Sequence, residues 1–421
     1  MALETERIPA RPRRLGDRLA VLREREFRLF FTGYTTSLLG SSMAPVAVAF
    51  AVLDGGGGGT DLGWVMAARI LPVVLVLLAG GVIADRLGGR RVMLVSEASR
   101  GLVQALFAGL LAAGRAPVWA MVVLVALWGV GEALFMPAFG AIVPGLVHRK
   151  DLLGDANTLL GMARSVSTVA GPAAAGLITA AHGPAAVLLI DAVTYGVGAL
   201  ALARLRLPEQ RPQEGGGTSV INELRDGWAE FAARPWYWIT TAQMGLFNLL
   251  VWAPFLILGP LTSRRELGGA TAWGLVMGVY GAGAVLGGLL MLGRRPSRPL
   301  AVATLAALGW ALPSAAFGAG LALPWVLGGA VVAGLGSAVC GTLFNTTTQE
   351  WVPPELLGRM TAFGSLGAFV LGPIGLAAAG PLASRLGTAH VLTAGALWQV
   401  AATAVVLALP AVRDRRWNDR P

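Results

Sequence analysis

The chain has 421 residues, of which 55% are hydrophobic and 13% are charged, and this charged fraction is about half that of an average soluble domain. Such a composition excludes an ordinary soluble enzyme and indicates a protein that crosses a membrane several times. The formal net charge of +10 does not indicate nucleic-acid binding, because the basic residues form short clusters between apolar segments, as they do on the cytoplasmic side of membrane proteins.

Apolar segments of about the length needed to cross a bilayer as a helix recur along the chain in two sets of six. The first set lies at about 30–53, 62–84, 92–113, 118–143, from 158 to 181, and 185–205. The second set lies at about 236–261, 271–293, 299–321, 324–348, 356–384 and 388–411. The sequence therefore predicts an all-α membrane protein with twelve transmembrane helices.

The polar segments define the predicted domains. We expect an N-terminal six-helix bundle over 29–205 and a C-terminal six-helix bundle over 236–411. The remaining segments are a cytoplasmic tail, residues 1–28, a Pro- and Gly-rich cytoplasmic linker with one short amphipathic helix, residues 206–235, and a second tail, residues 412–421.

The distribution of basic residues predicts the orientation. Nearly all of them fall in tails and loops on the side that holds both termini, which the positive-inside rule places in the cytoplasm. Four lie on the opposite side: Arg115, Arg264, Arg265 and Arg385. The Arg264–Arg265 pair is the one external cluster that runs against the rule.

A charged, glycine-broken loop joins the second and third segments. It contains the pattern Gly-x-x-x-Asp-Arg-x-Gly-x-Arg-Arg, which is formed by Gly81, Asp85, Arg86, Gly88, Arg90 and Arg91. The arginines alone could mark a cytoplasmic turn, but topology does not require Gly81 or Asp85. In this context the pattern resembles the signature loop of the major facilitator superfamily.

This resemblance implies two six-helix parallel repeats, transport by alternating access, and a gating role for the loop. In that role Asp85 acts on the positive N-terminal end of the eleventh helix, near residues 355–359. The alternative is that Asp85 pairs only with Arg90 or Arg91 inside its own loop.

The two halves also repeat a proline motif. Phe135, Val143 and Pro144 precede Gly171-Pro172 in the first half, and the second half repeats the pattern. Its counterparts there are Phe344, Val352, Pro353, Gly372 and Pro373. Together with Asn345 and Gln349, these motifs resemble the branch of the superfamily that contains the enterobactin exporter and macrolide efflux proteins.

Gly171, Pro172 and Gly176 predict a break and bend in the fifth segment, and Gly372 and Pro373 predict one in the eleventh. In related exporters this motif is associated with antiport, and an ordinary kink is the alternative reading. Glycines are also dense in the second, fifth, eighth and eleventh segments, which the resemblance places between the two halves. They indicate either surfaces along which the two halves slide during alternating access or close helix packing without motion.

Charges inside the apolar segments are candidate functional groups, because each is costly in a membrane unless it is paired or faces water. They are Arg69, Glu97, Arg100, Glu132, Arg164 and Asp191. Glu97 and Arg100 lie one turn apart and predict a structural ion pair; for Asp191 we also favour a structural role.

Glu132 and Arg164 lie near the middle of their segments, and we expect them to pair across a central cavity. Glu132 is then the predicted proton acceptor, with Arg69 as a substitute partner. A permanent structural bridge is the alternative. The familiar relay of drug/proton antiporters is absent, since the fourth segment lacks their arginine and the first has no acidic residue.

Neutral polar and aromatic residues predict the substrate cavity. They are Trp128, Asn248, Trp252, Asn345 and Gln349. Side chains of these types suit a bulky amphipathic compound, although most of the aromatic ones could instead be packing or membrane-interface residues.

The sequence thus predicts a monomeric exporter of a small hydrophobic or amphipathic compound in the cytoplasmic membrane, driven by the proton gradient. Its expected partners are the small-molecule substrate and membrane lipids, with no nucleic acid, metal, cofactor or catalytic activity. Two alternatives remain open at this stage. They are an importer or lipid flippase of the same fold, and a receptor or scaffold that does not transport.

Overall fold

The structure is a computed structural model, and it describes residues 19–147, 149, 152–206 and 228–417. The side chains of residues 74, 76–87, 141, 354, 355 and 359 lie outside the described set, although their backbone is helical. All regular elements in the described part of the chain are helices.

The first half consists of six long helices preceded by a short 3₁₀ turn, Leu19–Arg23. The helices are α1 (Arg25–Asp54), α2 (Gly59–Leu87), α3 (Gly89–Ala112), α4 (Val118–Leu146), α5 (Leu153–His182) and α6 (Pro184–Arg204).

The second half repeats this arrangement. Its helices are α7 (Pro235–Leu267), α8 (Ala270–Met291), α9 (Pro299–Gly318), α10 (Leu323–Trp351), α11 (Pro354–Phe369 and Gly372–Leu386) and α12 (Thr388–Ala408). Helix α7 contains two π-helical turns, Asn248–Trp252 and Ser263–Leu267. Such turns are frequent at functional sites.

Ten of these helices are long and apolar enough to cross a membrane, namely all except α2 and α5. Much of α2 lies outside the side chains that the structure describes. With ten such helices in one chain, the protein is a multi-pass membrane protein.

The first long helix extends beyond the apolar segment predicted at about 30–53. Helix α1 begins at Arg25 rather than near residue 29, because Phe27 and Phe30 are buried against α4 and α5. Residues 207–227 of the predicted linker lie outside the described residues. After this gap residues 228–232 are helical, and the Phe231 ring packs on Tyr237 of α7.

Two turns at equivalent places in the halves require glycine. Gly88 joins α2 to α3 with φ +83°, and Gly293 follows α8 with φ +68°. Left-handed backbone of this kind is costly for residues with a Cβ atom. The counterpart positions support the internal repeat read from the sequence.

The predicted break at Gly171-Pro172 is wrong, because α5 continues as one helix from Leu153 to His182, whereas the predicted bend stays a prediction. The prediction for the eleventh segment is correct. There the helix stops at Phe369 and restarts at Gly372, with Pro373 in its first turn, where a missing N–H costs nothing.

The two halves meet along α5 with α8 and along α2 with α11. A Cβ on Gly274 of α8 would lie 2.6 Å from the carbonyl oxygen of Pro172 and 2.8 Å from the Cα of Gly176. A Cβ on Gly63 of α2 would lie 2.4 Å from the carbonyl oxygen of Leu376. Only glycine permits such approaches, so these positions set the spacing of the halves.

These contacts concentrate at one end of the molecule, which we call the Asp54 end after the last residue of α1. The opposite end is called the Gly88 end. Not every glycine of α8 faces the other half, however. Gly283 and Gly287 approach the carbonyl oxygens of Val331 and Leu335 in α10, so they serve packing within the second half.

Candidate functional site

An ion pair joins α2 to α4 in the first half. The Arg69 Nε atom donates to Glu132 Oε2 at 3.0 Å, and Nη2 donates to Oε1 at 3.2 Å. The two side chains remain 24% and 30% exposed. A bidentate, charge-assisted pair of this kind is geometrically specific, while its partial exposure leaves a route for water and protons.

The pair rests on a buried aromatic residue. The Arg69 guanidinium lies 4.1 Å from the centre of the Trp128 ring, and Trp128 Nε1 donates to the Tyr195 hydroxyl at 2.8 Å. Trp128 is 2% exposed and lines neither of the two cavities described below. In this structure it supports Arg69, and its place in the substrate cavity stays a prediction.

The predicted pair between Glu132 and Arg164 is also wrong. Arg164 is exposed, and its Nη2 atom lies 3.4 Å from the Tyr34 hydroxyl on α1. Glu132 instead pairs with Arg69, the substitute partner named from the sequence. The cause is the rotation of α5, which turns Arg164 toward α1 rather than toward α4.

A second network is fully buried between α1, α3 and α6. Arg100 Nη2 donates to Glu97 Oε1 at 2.8 Å, and Ser37 donates to Glu97 Oε2 at 2.8 Å. Gln104 donates to Asp191 Oδ2 at 2.8 Å. The ion pair predicted for Glu97 and Arg100 is confirmed. Because these buried polar groups are paired with one another, we interpret them as structural contacts between helices.

A cavity of about 320 Å³ lies between the halves, and we call it the central cavity. Its walls include Ser42, Met66, Arg69, Thr168, Trp252 and Tyr280. Trp252, a predicted substrate-cavity residue, lies on this wall. The Arg69–Glu132 ion pair lies at the edge of the cavity, because Arg69 is one of its lining residues.

A larger cavity, of about 450 Å³, lies within the second half, and we call it the C-half cavity. Helices α7, α9, α10, α11 and α12 all contribute to its wall. Asn345 and Gln349, two predicted substrate-cavity residues, line it. Asn248 does not, because its amide is buried and donates to the carbonyl oxygens of Met244 and Ala368 at 3.0 Å.

An aromatic cluster separates the two cavities. Trp252 and Tyr280 face the central cavity, and their rings lie 4.7 and 5.0 Å from that of Trp310, which faces the C-half cavity. Tyr280 and Trp310 both donate to the Ser337 hydroxyl, at 3.1 and 2.9 Å. Sequence reasoning missed Tyr280, Trp310 and Ser337, because single polar groups in apolar helices carry no signal of their common location.

The signature loop is only partly described. The side chains of Gly81, Asp85 and Arg86 lie outside the described residues, so the gating role of Asp85 stays a prediction. Arg90 donates to the carbonyl oxygens of Leu202 and Ala203 at 2.9 and 2.7 Å, which caps the C-terminus of α6. Arg91 is exposed.

Of the Arg264–Arg265 pair, which runs against the positive-inside rule, Arg264 forms an ion pair with Asp54. Arg264, in the second π turn of α7, lies 3.3 Å from Asp54 Oδ1 and also donates to the Leu53 carbonyl oxygen. These contacts tie the second half to the C-terminal, negative end of α1. The pairing therefore bridges the two halves at the Asp54 end.

Comparisons with known proteins agree with this architecture. The family model described as Major Facilitator Superfamily matches residues 30–376. The multidrug efflux pump Tap of Mycobacterium tuberculosis is 29% identical over 403 residues, which cover 89% of this chain and 91% of Tap. Macrolide efflux protein A of Streptococcus pyogenes is 25% identical over 388 residues, covering 87% and 91% of the two chains.

The solved structures show the same fold at low sequence identity. A crystal structure of a variant of the nucleoside transporter NupG superimposes with a TM-score of 0.73 at 15% identity, and the match covers 91% of this chain and 99% of that one.

Proposed function

The chain belongs to the Major Facilitator Superfamily, and from that premise we propose that it exports a small hydrophobic or amphipathic compound by alternating access, in exchange for protons. The observation that carries this proposal is the Arg69–Glu132 pair at the edge of a cavity between the halves. The similarity to Tap and to macrolide efflux protein A supports export as the direction.

We further propose that all twelve helices cross the cytoplasmic membrane and that both termini lie in the cytoplasm. The support is the excess of basic residues on one side of the predicted membrane region, the side that holds both termini and the Gly88 turn. In this orientation the halves touch at their outer ends, and cargo reaches the cavities from the cytoplasm.

The coupling step in this proposal is the loss of the carboxylate partner of Arg69. Protonation of Glu132 removes the negative charge that holds Arg69, while the Trp128 ring keeps the guanidinium in place. Arg69, on the wall of the central cavity, then presents an uncompensated cation to the space between the halves. In this step the proton changes the charge on the wall of the cavity between the halves.

Inside-out vesicles containing the protein test the proposal. With an imposed proton gradient they should accumulate a radiolabelled neutral amphiphile such as triphenylphosphine oxide, and an uncoupler should abolish accumulation. Accumulation that survives the uncoupler would remove proton antiport. Accumulation only in right-side-out vesicles would indicate an importer, and saturable binding without movement in either would indicate a receptor.

A further inference from the structure

The C-half cavity has no role in the coupling step above, and its chemistry differs from that of the first half. Among the described residues, none of the side chains that line it is charged. In the described part of the chain, the charged groups singled out within the apolar segments lie in the first half, with Arg69 and Glu132 partly exposed and Glu97, Arg100 and Asp191 buried. The two halves therefore offer a ligand two different environments.

Unused hydrogen-bonding groups line the C-half cavity. Gln243 of α7 and Asn345 and Gln349 of α10 make no hydrogen bond within the described part of the chain. Asn345 and Gln349 lie one turn apart and are both exposed. Because each amide both donates and accepts, the three together can bind either kind of polar group on a ligand.

The deeper wall also leaves hydrogen-bonding capacity unused. Gln399 of α12 donates through Nε2 to the Ala307 carbonyl oxygen at 3.0 Å, and its Oε1 atom has no partner in the described structure. The hydroxyls of Thr241 and Thr348 are likewise buried and unpartnered there. Buried polar groups are normally paired, so an unpaired set around one cavity indicates a place that a ligand or water completes.

Apolar side chains make up the rest of the wall. Phe247, Phe344 and Phe369 come from three different helices, and Met244 and Leu300 add flexible aliphatic surface. Aromatic walls with a few convergent polar groups are typical of pockets for small organic molecules, and a volume near 450 Å³ lies within the usual range for them.

We propose that the C-half cavity is the cargo site and that it selects uncharged amphiphiles, with the apolar body against the phenylalanines and a polar group on Asn345 and Gln349. An ion that leaves water for this cavity would find no counter-charge among the described lining residues, which is unfavourable. The identification of the ligand as cargo rests on the proposed export function, whereas the binding site itself does not.

A matched pair of probes tests the charge preference. Triphenylphosphine oxide and methyltriphenylphosphonium have nearly the same shape, but the first is a neutral hydrogen-bond acceptor and the second a cation. Binding to the purified protein in nanodiscs is measured by calorimetry against empty nanodiscs. We expect the oxide to bind at least about tenfold more tightly than the phosphonium, since the cation gains no partner.

Cys340 provides an independent report of the location. It is the only cysteine in the chain and lines the C-half cavity. Saturating triphenylphosphine oxide should slow its alkylation by N-ethylmaleimide several-fold, and the phosphonium at the same concentration should not. Equal affinity of the two probes, or binding of the oxide without protection of Cys340, would overturn the proposal.

Three variants complete the test. Asn345→Leu and Gln349→Leu keep the side-chain size and should each weaken oxide binding by about threefold to tenfold, the effect of one lost neutral hydrogen bond. Thr342→Val is the matched control, because Thr342 is exposed on the same helix and lines neither cavity. Unchanged affinity in both leucine variants would contradict the site.

Transport of the oxide separates the two proposals. If the parent protein binds the oxide in the C-half cavity but moves it in neither vesicle orientation, the export function is wrong and the binding site stands. If the parent exports the oxide and the leucine variants export it equally well, export stands and the cargo site is wrong.

Discussion

At the scale of single residues, the Arg69–Glu132 pair combines tight geometry with access to water. We expect Glu132→Gln to fold normally, because a pair exposed by about a quarter contributes roughly 1 kcal/mol or less, and the Trp128 ring still holds Arg69. Substrate binding should persist, while transport driven by the proton gradient is lost. Vesicle transport and calorimetry on the same preparation measure both.

Glu266→Gln is the matched control for this variant, since Glu266 is exposed at the Asp54 end. The control variant should transport like the parent. Gradient-driven transport by Glu132→Gln at the parent rate would move the coupling role to another residue. A large loss of thermal stability would favour the alternative of a permanent structural bridge.

The buried pair of Glu97 with Arg100 should behave in the opposite way. The side chains are 3% and 7% exposed, so Arg100→Met leaves a carboxylate with Ser37 as its remaining polar contact. Such an uncompensated buried charge costs about 3–5 kcal/mol. We therefore expect a marked drop in the thermal unfolding midpoint in detergent, with Arg115→Met, on an exposed connection, as control.

The double variant Glu97→Gln with Arg100→Met sharpens this prediction. It removes both charges, so most of the lost stability should return. A double variant as unstable as Arg100→Met alone would show that the guanidinium contacts with the Phe135 and Tyr195 rings, rather than charge pairing, hold α3 in place.

At the scale of helices, the contact between α5 and α8 depends on Gly274. A side chain there meets the backbone of Pro172 and Gly176 within 3 Å, so Gly274→Leu should force the helices apart at the Asp54 end. Gly288→Leu is the control on the same helix, because a Cβ at Gly288 has no heavy atom within 4 Å.

Cysteine labelling measures this separation. In a Cys340→Ser background, a single cysteine at Ala377, next to Gly63 in the contact between α2 and α11, should become several-fold more reactive toward an impermeant maleimide in Gly274→Leu. Equal labelling in the two glycine variants would show that the close approach does not hold the halves together.

At the scale of the whole molecule, Arg264 bridges the halves at the Asp54 end. The exposed ion pair with Asp54 and the contact with the C-terminus of α1 together stabilise the observed state by about 1–2 kcal/mol. Arg264→Gln should therefore shift the population toward a state open at this end by roughly fivefold to thirtyfold.

Spin-label distances measure that shift. Labels on cysteines replacing Arg115 and Ala319 report on the two halves at the Asp54 end, and their distance distribution should broaden toward longer values in Arg264→Gln. Arg265→Gln is the matched control, because Arg265 makes no contact within the described structure that would bridge the halves. Identical distributions in both variants would contradict a latch at Arg264.

The amino-acid sequence alone determined where the helices run and which charges are unusual. Predicted segments and observed helices end within about two turns of one another, because length and hydropathy are local properties of the chain. The buried charges were found in the same way, since an ionisable group in an apolar segment is conspicuous wherever it points.

Tertiary structure decided which groups meet. Glu132 pairs with Arg69 rather than with Arg164, and the Trp128 ring packs against the Arg69 guanidinium. The Asn248 amide donates to backbone carbonyl oxygens. Tertiary structure also assembles the C-half cavity from five helices. The physical reason is that each helix can rotate about its axis without changing its hydropathy, so packing between helices, and not local pattern, sets the direction of each side chain.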